Sequence, residues 1–354
     1  MKPLKKLVIK PTVKCYHKCK YCVPRQNYFA ELVTKKNRDK NQLENMPLEM
    51  AIKCITDAHS LGMSECLFSG GDPLIYPDIV ELVSKASSLD NVFVYLNSLG
   101  VGIQKSKVIE IIEAGLSAWN LSLDTIDPKT YDKLRGLNGA FKNAMETLDV
   151  LKDARKTLNK KRQFFINYMT VITRYNYQSL PRLLENAIAN QISSIYFIFI
   201  QGDSSNAFLL SKAEIIDFRR HIVPKMLEIL YRAELPDPVF ANAQKVLTSF
   251  YCSDNSDDNY SKNVWWTNIE AAKNSCNIPD YCLHIEPDGT VLPCCVVEIS
   301  HEGEVGNLWS STLKDIWDSK ALQEFRSNKM TFCIQCPVQR NKTLGLIPEM
   351  CRQF

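Results

Sequence analysis

VKCYHKCKYC, residues 13–22, sets cysteines at positions 15, 19 and 22 directly after the β-rich run KLVIKPTV (6–13). Three thiols are one short of a closed structural zinc site and an odd number for a disulfide framework. Soft thiolates favour zinc or iron–sulfur clusters. No fourth cysteine lies nearby, and His17, inside the loop, reads as a solvated residue rather than a ligand. A cubane cluster held by three cysteines leaves one iron open to a small molecule.

The surrounding chain has 354 residues, 45% hydrophobic and 23% charged, which suits one large domain or one domain plus a smaller one. Its formal charge of +4 is mild, and its basic residues are interleaved with acids, which argues against a nucleic-acid partner. The start MKPLKKLVIK lacks the apolar core of a signal peptide. The longest apolar run, near IYFIFI (195–200), is too short to span a bilayer. A cytoplasmic protein without a membrane partner is therefore expected. Of its 13 cysteines, eight lie between Cys252 and Cys351, a clustering that in a reducing compartment points to metal. Cys54 and Cys66 stand alone in apolar patterns and read as core residues.

Six runs rich in Val, Ile and aromatics read as buried strands: 6–13, 65–70, 91–98, 118–124, 164–173 and 193–201. Amphipathic stretches between them, from Pro47 to Gly62 and over 77–88, 105–114, 140–157 and 178–189, read as helices. This βα repeat predicts an α/β fold with parallel strands, and six units predict a partial (βα)6 barrel of the TIM type or an open sheet. We divide the chain into a barrel (1–235), a linker region (236–263) that includes the polar run CSDNSDDNYSKN, and a small C-terminal domain (264–354).

Working residues of parallel βα folds gather at the C-terminal strand ends. Here those ends carry the three cysteines, then Gly70-Gly71-Asp72-Pro73, Asn97-Ser98, Ser122 with Asp124, and Thr173-Arg174. The glycine pair permits close backbone approach to a small molecule.

CYHKCKYC followed by SGGDP after the next strand resembles the radical S-adenosylmethionine (SAM) superfamily, over about residues 6–235. The resemblance implies that Cys15, Cys19 and Cys22 ligate a [4Fe–4S] cluster whose open iron chelates the amino and carboxylate groups of SAM. It implies that Tyr21 is the aromatic preceding the last cysteine. Gly70, Gly71 and Asp72 match the family's Gly-Gly-Glu motif beside the SAM amino group, with Asp in place of Glu. Ser122 matches a position that contacts the SAM ribose or carboxylate. Asn97 at the end of strand three and Arg135 in LDTIDPKTYDKLRG complete the expected cofactor-binding set.

The late segment CNIPDYCLHIEPDGTVLPCC has turn chemistry at Pro-Asp-Gly, so a hairpin is expected there. Cys276, Cys294, Cys333 and Cys336 resemble the pattern of the SPASM/twitch extension, which holds auxiliary clusters. Of its two types, the shorter twitch type with one auxiliary [4Fe–4S] cluster is expected; two clusters, Cys282 in place of Cys276, and a structural zinc site are the alternatives. Cys295 beside Cys294 resembles the free cysteine with which radical SAM epimerases return a hydrogen atom, and is the candidate catalytic residue.

The family chemistry implied is reductive cleavage of SAM to a 5′-deoxyadenosyl radical, which abstracts a C–H hydrogen from a peptide or small natural product. An auxiliary cluster that accepts an electron leads to oxidation or crosslinking; a thiol that quenches the radical leads to epimerisation. Twitch-type sugar dehydrogenation or epimerisation is a second reading, and an iron–sulfur or zinc-stabilised electron-transfer or binding protein is the non-enzyme rival. A flavodoxin- or ferredoxin-type electron donor is the expected partner. Fourteen residues precede Cys15, too few for a fused N-terminal peptide-recognition domain, which counts slightly against a peptide substrate, though a separate protein could supply recognition.

Overall fold

The computed structural model describes residues 2–22, 44–100, 104–158, 162–200, 207–233, 277–294 and 303–328, with four isolated positions between 240 and 247. Six βα units run in order. They comprise β1 (Lys6–Ile9), α1 (Leu48–Ser60), β2 (Glu65–Phe68), α2 (Ile79–Ser87), β3 (Phe93–Ser98), α3 (Lys105–Glu113) and β4 (Ala118–Ser122). The series continues with α4 (Pro128–Arg135), α5 (Ala140–Leu158), β5 (Phe165–Ile172), α6 (Leu180–Ala189) and β6 (Ser194–Phe199), then α7 (Lys212–Asp217) and α8 (Val223–Arg232).

All six strands pair in parallel with their sequence neighbours. Their residues alternate between two environments, as a two-unit side-chain period requires. Leu7, Ile9, Cys66, Phe68, Val94, Leu96, Trp119, Leu121, Ile166 and Tyr168 pack with the helices in the main core. Val8, Leu67, Tyr95 and Ala118 form a second cluster on the other face, the inside of the partial barrel. Cys54 and Cys66 are both buried, as core residues should be.

The predicted strands overrun the observed ones. The first stops at Ile9, not residue 13, because Pro11 has no N–H to give a ladder and Thr12 makes only an isolated bridge to Asn45. The sequence reading also passed over α4 as a helix. It is built locally: Asp127 caps it by accepting from Thr130 N at 2.8 Å, Pro128 opens it, and Gly136 closes it at φ 63°.

The described strands of the C-terminal segment extend the barrel sheet. The expected hairpin forms as β7 (Cys282–Ile285) and β8 (Thr290–Leu292), with a short β9 (Gly306–Asn307) beyond it. β7 pairs in parallel with β1, from Lys6 opposite Cys282 to Ile9 opposite Ile285. One sheet thus runs β6-β5-β4-β3-β2-β1-β7-β8-β9. A buried ion pair, Lys10 Nζ to Glu286 Oε1 at 2.6 Å, joins the two chain regions just past their paired strands. α9 (Leu313–Trp317) and α10 (Lys320–Asn328) follow. Among the described residues no helix is long and apolar enough to cross a membrane.

Candidate functional site

The cysteine loop leaves the C-terminal end of β1 and is strapped to its surroundings by backbone. On one side Gly71 N donates to Thr12 O at 3.0 Å and Asp72 N to Lys14 O at 2.7 Å. On the other, Lys18 N donates to Arg135 O at 2.9 Å and Lys20 N to Leu134 O at 3.0 Å, the last turn of α4. This is why glycines stand at 70, 71 and 136. A Cβ on Gly71 would lie 2.1 Å from Lys14 O, one on Gly70 2.7 Å from Thr12 O, and one on Gly136 2.4 Å from Lys18 O. The close approach permitted by the Gly70-Gly71 pair is thus to the cysteine loop itself. Gly71→Ala is expected to push the loop off its seat and to lower iron retention at Cys15, Cys19 and Cys22 while leaving the barrel's circular dichroism unchanged; iron and far-ultraviolet spectra on one preparation check this.

Cys15, Cys19 and Cys22 are not joined in disulfides, and each is partly exposed. Burial, then Asp72, and also Cys19 and Cys22, push the Cys15 thiol up to about 12, so the three sulfurs and the carboxylate sense one another. Metal coordination deprotonates such a thiol outright. Among the described residues no three His, Cys, Asp or Glu side chains gather around one point as ligands of a single ion would. Three soft thiols at one strand end suit an iron–sulfur cluster with one iron left open. Arg135 Nη1 lies 3.7 Å from Cys19 Sγ, a cation suited to an anionic thiolate.

Arg135, expected at the cofactor, is buried. It forms an ion pair with the fully buried Asp124, Nη2 to Oδ2 at 2.8 Å, and lies over the rings of Tyr21 and Tyr131. The Tyr21 hydroxyl also donates to Asp124, and Val171 N donates to its Oδ1 at 2.9 Å. Burial pushes the Asp124 carboxyl upward, but the cation and these two donors oppose it, and we hold it ionised beside Arg135. The sequence reading noted Asp124 at a strand end without assigning it to the site. The signal was there: an acid just past an otherwise apolar strand.

His17 corrects an expectation. It is 2% exposed rather than solvated, and burial followed by Arg135 lowers its imidazole to about 4. The loop folds back over α4, and that covers the ring.

The Asp72 carboxylate accepts from Ser98 Oγ at 2.8 and 3.0 Å and from Leu74 N at 3.1 Å. Burial raises it to about 6 against those hydrogen bonds. An acid that binds its proton more tightly when folded loses stability as pH rises from about 4 to about 6. Asp72→Asn is expected to remove that decline, about 3 kcal/mol at most for a shift of this size. Denaturant titrations of both proteins at pH 4 and pH 7 measure it.

By strand alternation Asn97 shares the interior face of Tyr95, and Ser122 that of Ala118. Asn97 Oδ1 accepts from Asn120 Nδ2 at 2.8 Å, and Asn120 Oδ1 from Asn167 Nδ2 at 2.9 Å, an amide ladder across β3, β4 and β5. The Ser122 carbonyl accepts from Tyr131 Oη at 2.7 Å. In the C-terminal region, Cys282 is buried with Val8 and Tyr95 inside the barrel, whereas Cys294 packs into the main core. Cys276, Cys295, Cys333 and Cys336 lie outside the described residues.

A partial parallel barrel with a three-thiol loop strapped to its rim defines a class of cluster-bearing barrel enzymes. The profile of the Radical SAM superfamily matches residues 9–187, and that of an iron-sulfur cluster-binding domain (SPASM) matches 276–337. The chain belongs to the radical SAM superfamily. With that membership come SAM, the [4Fe–4S] cluster that binds it, and auxiliary iron–sulfur binding in the C-terminal domain.

Among its relatives is the PqqA peptide cyclase of Rhizobium meliloti, 23% identical over 348 residues, 96% of this chain and 76% of that one. The PqqA peptide cyclase of Granulibacter bethesdensis is 24% identical over 295 residues, covering 80% and 70%. The crystal structure of Streptococcus suis SuiB bound to S-adenosylmethionine shares the fold with a TM-score of 0.64 at 18% identity, covering 97% of this chain and 73% of that one. Native anSMEcpe with bound AdoMet does so at 0.62 and 16% identity, covering 95% and 87%.

Proposed function

We propose that this chain is a peptide-modifying radical SAM enzyme in which Cys15, Cys19 and Cys22 hold the SAM-binding cluster. The observation that carries the site is the loop's double anchorage, on the Gly70-Gly71-Asp72 backbone and on α4, which fixes three thiols at one strand end. The peptide substrate rests on the likeness to PqqA peptide cyclases over nearly the whole chain. Held by Cys15, Cys19 and Cys22, the cluster with SAM would supply the chemistry for removing hydrogen from an unactivated carbon. The chain's own residues position that chemistry. Tyr21, Arg135 and Asp124 hold the loop's shape, the Gly70–Asp72 backbone and Ser122 line the cofactor's place, and Asn97 and Asn120 present amides in the barrel.

For the auxiliary cluster we assign Cys276, Cys294, Cys333 and Cys336, one cluster of the twitch type. The 276–337 match starts on the first of them and ends one residue past the last. Cys282 is the poorer ligand because it is built into the barrel interior. Among crosslinking, other oxidation and epimerisation, the names of the relatives favour crosslinking, with a low-potential flavodoxin or ferredoxin as donor.

The test is anaerobic incubation of reconstituted enzyme with SAM, reductant and candidate precursor peptides in deuterated water. A product lighter by two hydrogens with no deuterium at carbon supports oxidative crosslinking. One carbon-bound hydrogen replaced by deuterium, with no net loss of hydrogens, supports epimerisation, and Cys295→Ala should then retain SAM cleavage but lose turnover. No 5′-deoxyadenosine under any condition rejects the radical reading.

A further inference from the structure

Cys19 is clamped to α4 from both sides. The N–H groups of its chain neighbours, Lys18 and Lys20, donate to Arg135 O at 2.9 Å and Leu134 O at 3.0 Å. The side chain of the same Arg135 then returns to the thiol, with Nη1 3.7 Å from Cys19 Sγ. Its other terminal nitrogen, Nη2, lies 2.8 Å from Asp124 Oδ2. Asp124 is itself held by the Tyr21 hydroxyl and by Val171 N, and the rings of Tyr21 and Tyr131 lie against the guanidinium. The planar fork of arginine thus spans a locked carboxylate and a loop sulfur. Arg135 is 4% exposed and Asp124 is fully buried. Cys19 borders an apolar cluster of Tyr21, Leu134 and Ile200, against which Val171, Phe208 and Leu209 also pack. Charges act strongly over short distances in such surroundings.

We propose that Arg135 sets the reduction potential of the SAM-binding cluster, by holding a fixed cation and N–H donor on the Cys19 thiolate. The proposal rests on reading Cys15, Cys19 and Cys22 as the cluster loop. Reduction adds one electron to the cluster and makes it more negative. Arg135 keeps its proton throughout and exchanges no electron. A cation beside a ligating sulfur stabilises the more negative state further than the less negative one, so it raises the potential. Net charge and hydrogen bonds to the sulfurs are the means by which a protein tunes such clusters, and groups one layer behind the ligands act through them. Asp124 offsets part of the guanidinium charge, but it pairs with Nη2, which leaves Nη1 to the sulfur. This role is separate from seating the loop, because it concerns a cluster that is already bound.

The test is a redox titration of reconstituted wild type, Arg135→Gln and Arg135→Lys, followed by electron paramagnetic resonance without turnover. The first cluster's signal is the one that changes when SAM is added. Its midpoint is read in SAM-free samples, from the molecules that hold the cluster, so partial iron loss does not enter. Arg135→Gln is expected to lie lower than wild type by at least about 59 mV, a tenfold weaker one-electron reduction equilibrium. Arg135→Lys keeps the charge but not the fork, and is expected to fall between the two. Midpoints equal to wild type in both variants overturn the proposal. A rise overturns it too, since a merely loosened loop admits water, which favours the more negative reduced cluster. Should Arg135→Gln hold no cluster, Arg135→Lys decides by the same criteria. Loss of the cluster from both variants assigns Arg135 to the loop's structure alone and rejects the tuning role. A wild type with no signal that responds to SAM rejects the cluster-loop reading itself, which separates the two failures.

Discussion

Replacing Cys15, Cys19 and Cys22 together by alanine is expected to lower bound iron from about eight to about four atoms per chain and to reduce 5′-deoxyadenosine formation to background. The C-terminal cysteines Cys276, Cys294, Cys333 and Cys336 account for the remaining four on the assignment proposed above. The cause is chemical: without thiolates at the strand end there is no soft ligand set, since the Asp72 carboxylate is engaged by Ser98 and His17 is buried. Iron and sulfide analysis with quantified 5′-deoxyadenosine checks both numbers. Unchanged iron in the triple variant rejects the loop as a cluster site. Iron of about four in the wild type rejects the second cluster.

The second large effect is expected at the buried pair beneath the loop. Asp124→Asn removes the charge that neutralises Arg135, where both side chains are buried and the carboxylate also receives Tyr21 and Val171. Breaking such a pair typically costs about 3–5 kcal/mol, because one partner is left charged in a dry site. Arg135 also lies against Cys19 Sγ and spans the rings of Tyr21 and Tyr131, so its release should loosen the loop as well as the barrel. We expect Asp124→Asn to lose both unfolding free energy and first-cluster iron. The double variant Asp124→Asn, Arg135→Met should recover part of the stability but not the iron. Denaturant unfolding and iron content on the same three proteins decide it; a single variant as stable as wild type would falsify the keystone role given to this pair.

Much of the fold was legible because it is local. The runs of Val, Ile and aromatics marked all six barrel strands, and the apolar spacing with Pro47 and Gly62 marked α1 to within two residues. The cysteine spacing and the glycine pair pointed to the rim of the barrel for the same reason: each is a short-range pattern imposed by strand–loop geometry. α4 was missed as a helix since its apolar positions are few, and its capping residues Asp127, Pro128 and Gly136 were the available signal.

Other features depend on contacts between distant residues. Gly70 and Gly71 pointed to a small molecule in the sequence, yet the atoms that forbid a side chain there belong to Thr12, Val13 and Lys14. Asp124 gains its meaning only from Arg135, Tyr21 and Val171, and His17 is buried only because the loop returns over α4. β7 joins β1, and Lys10 meets Glu286 across 276 residues of chain, a partnership no periodicity encodes. The parallel βα class and the three-thiol chemistry are written in local spacing, so the chain's residues specify them before it folds. What seats the cysteine loop and where the C-terminal hairpin attaches emerge with the fold, because close packing and buried charge pairing are properties of residues brought together from far apart in the chain.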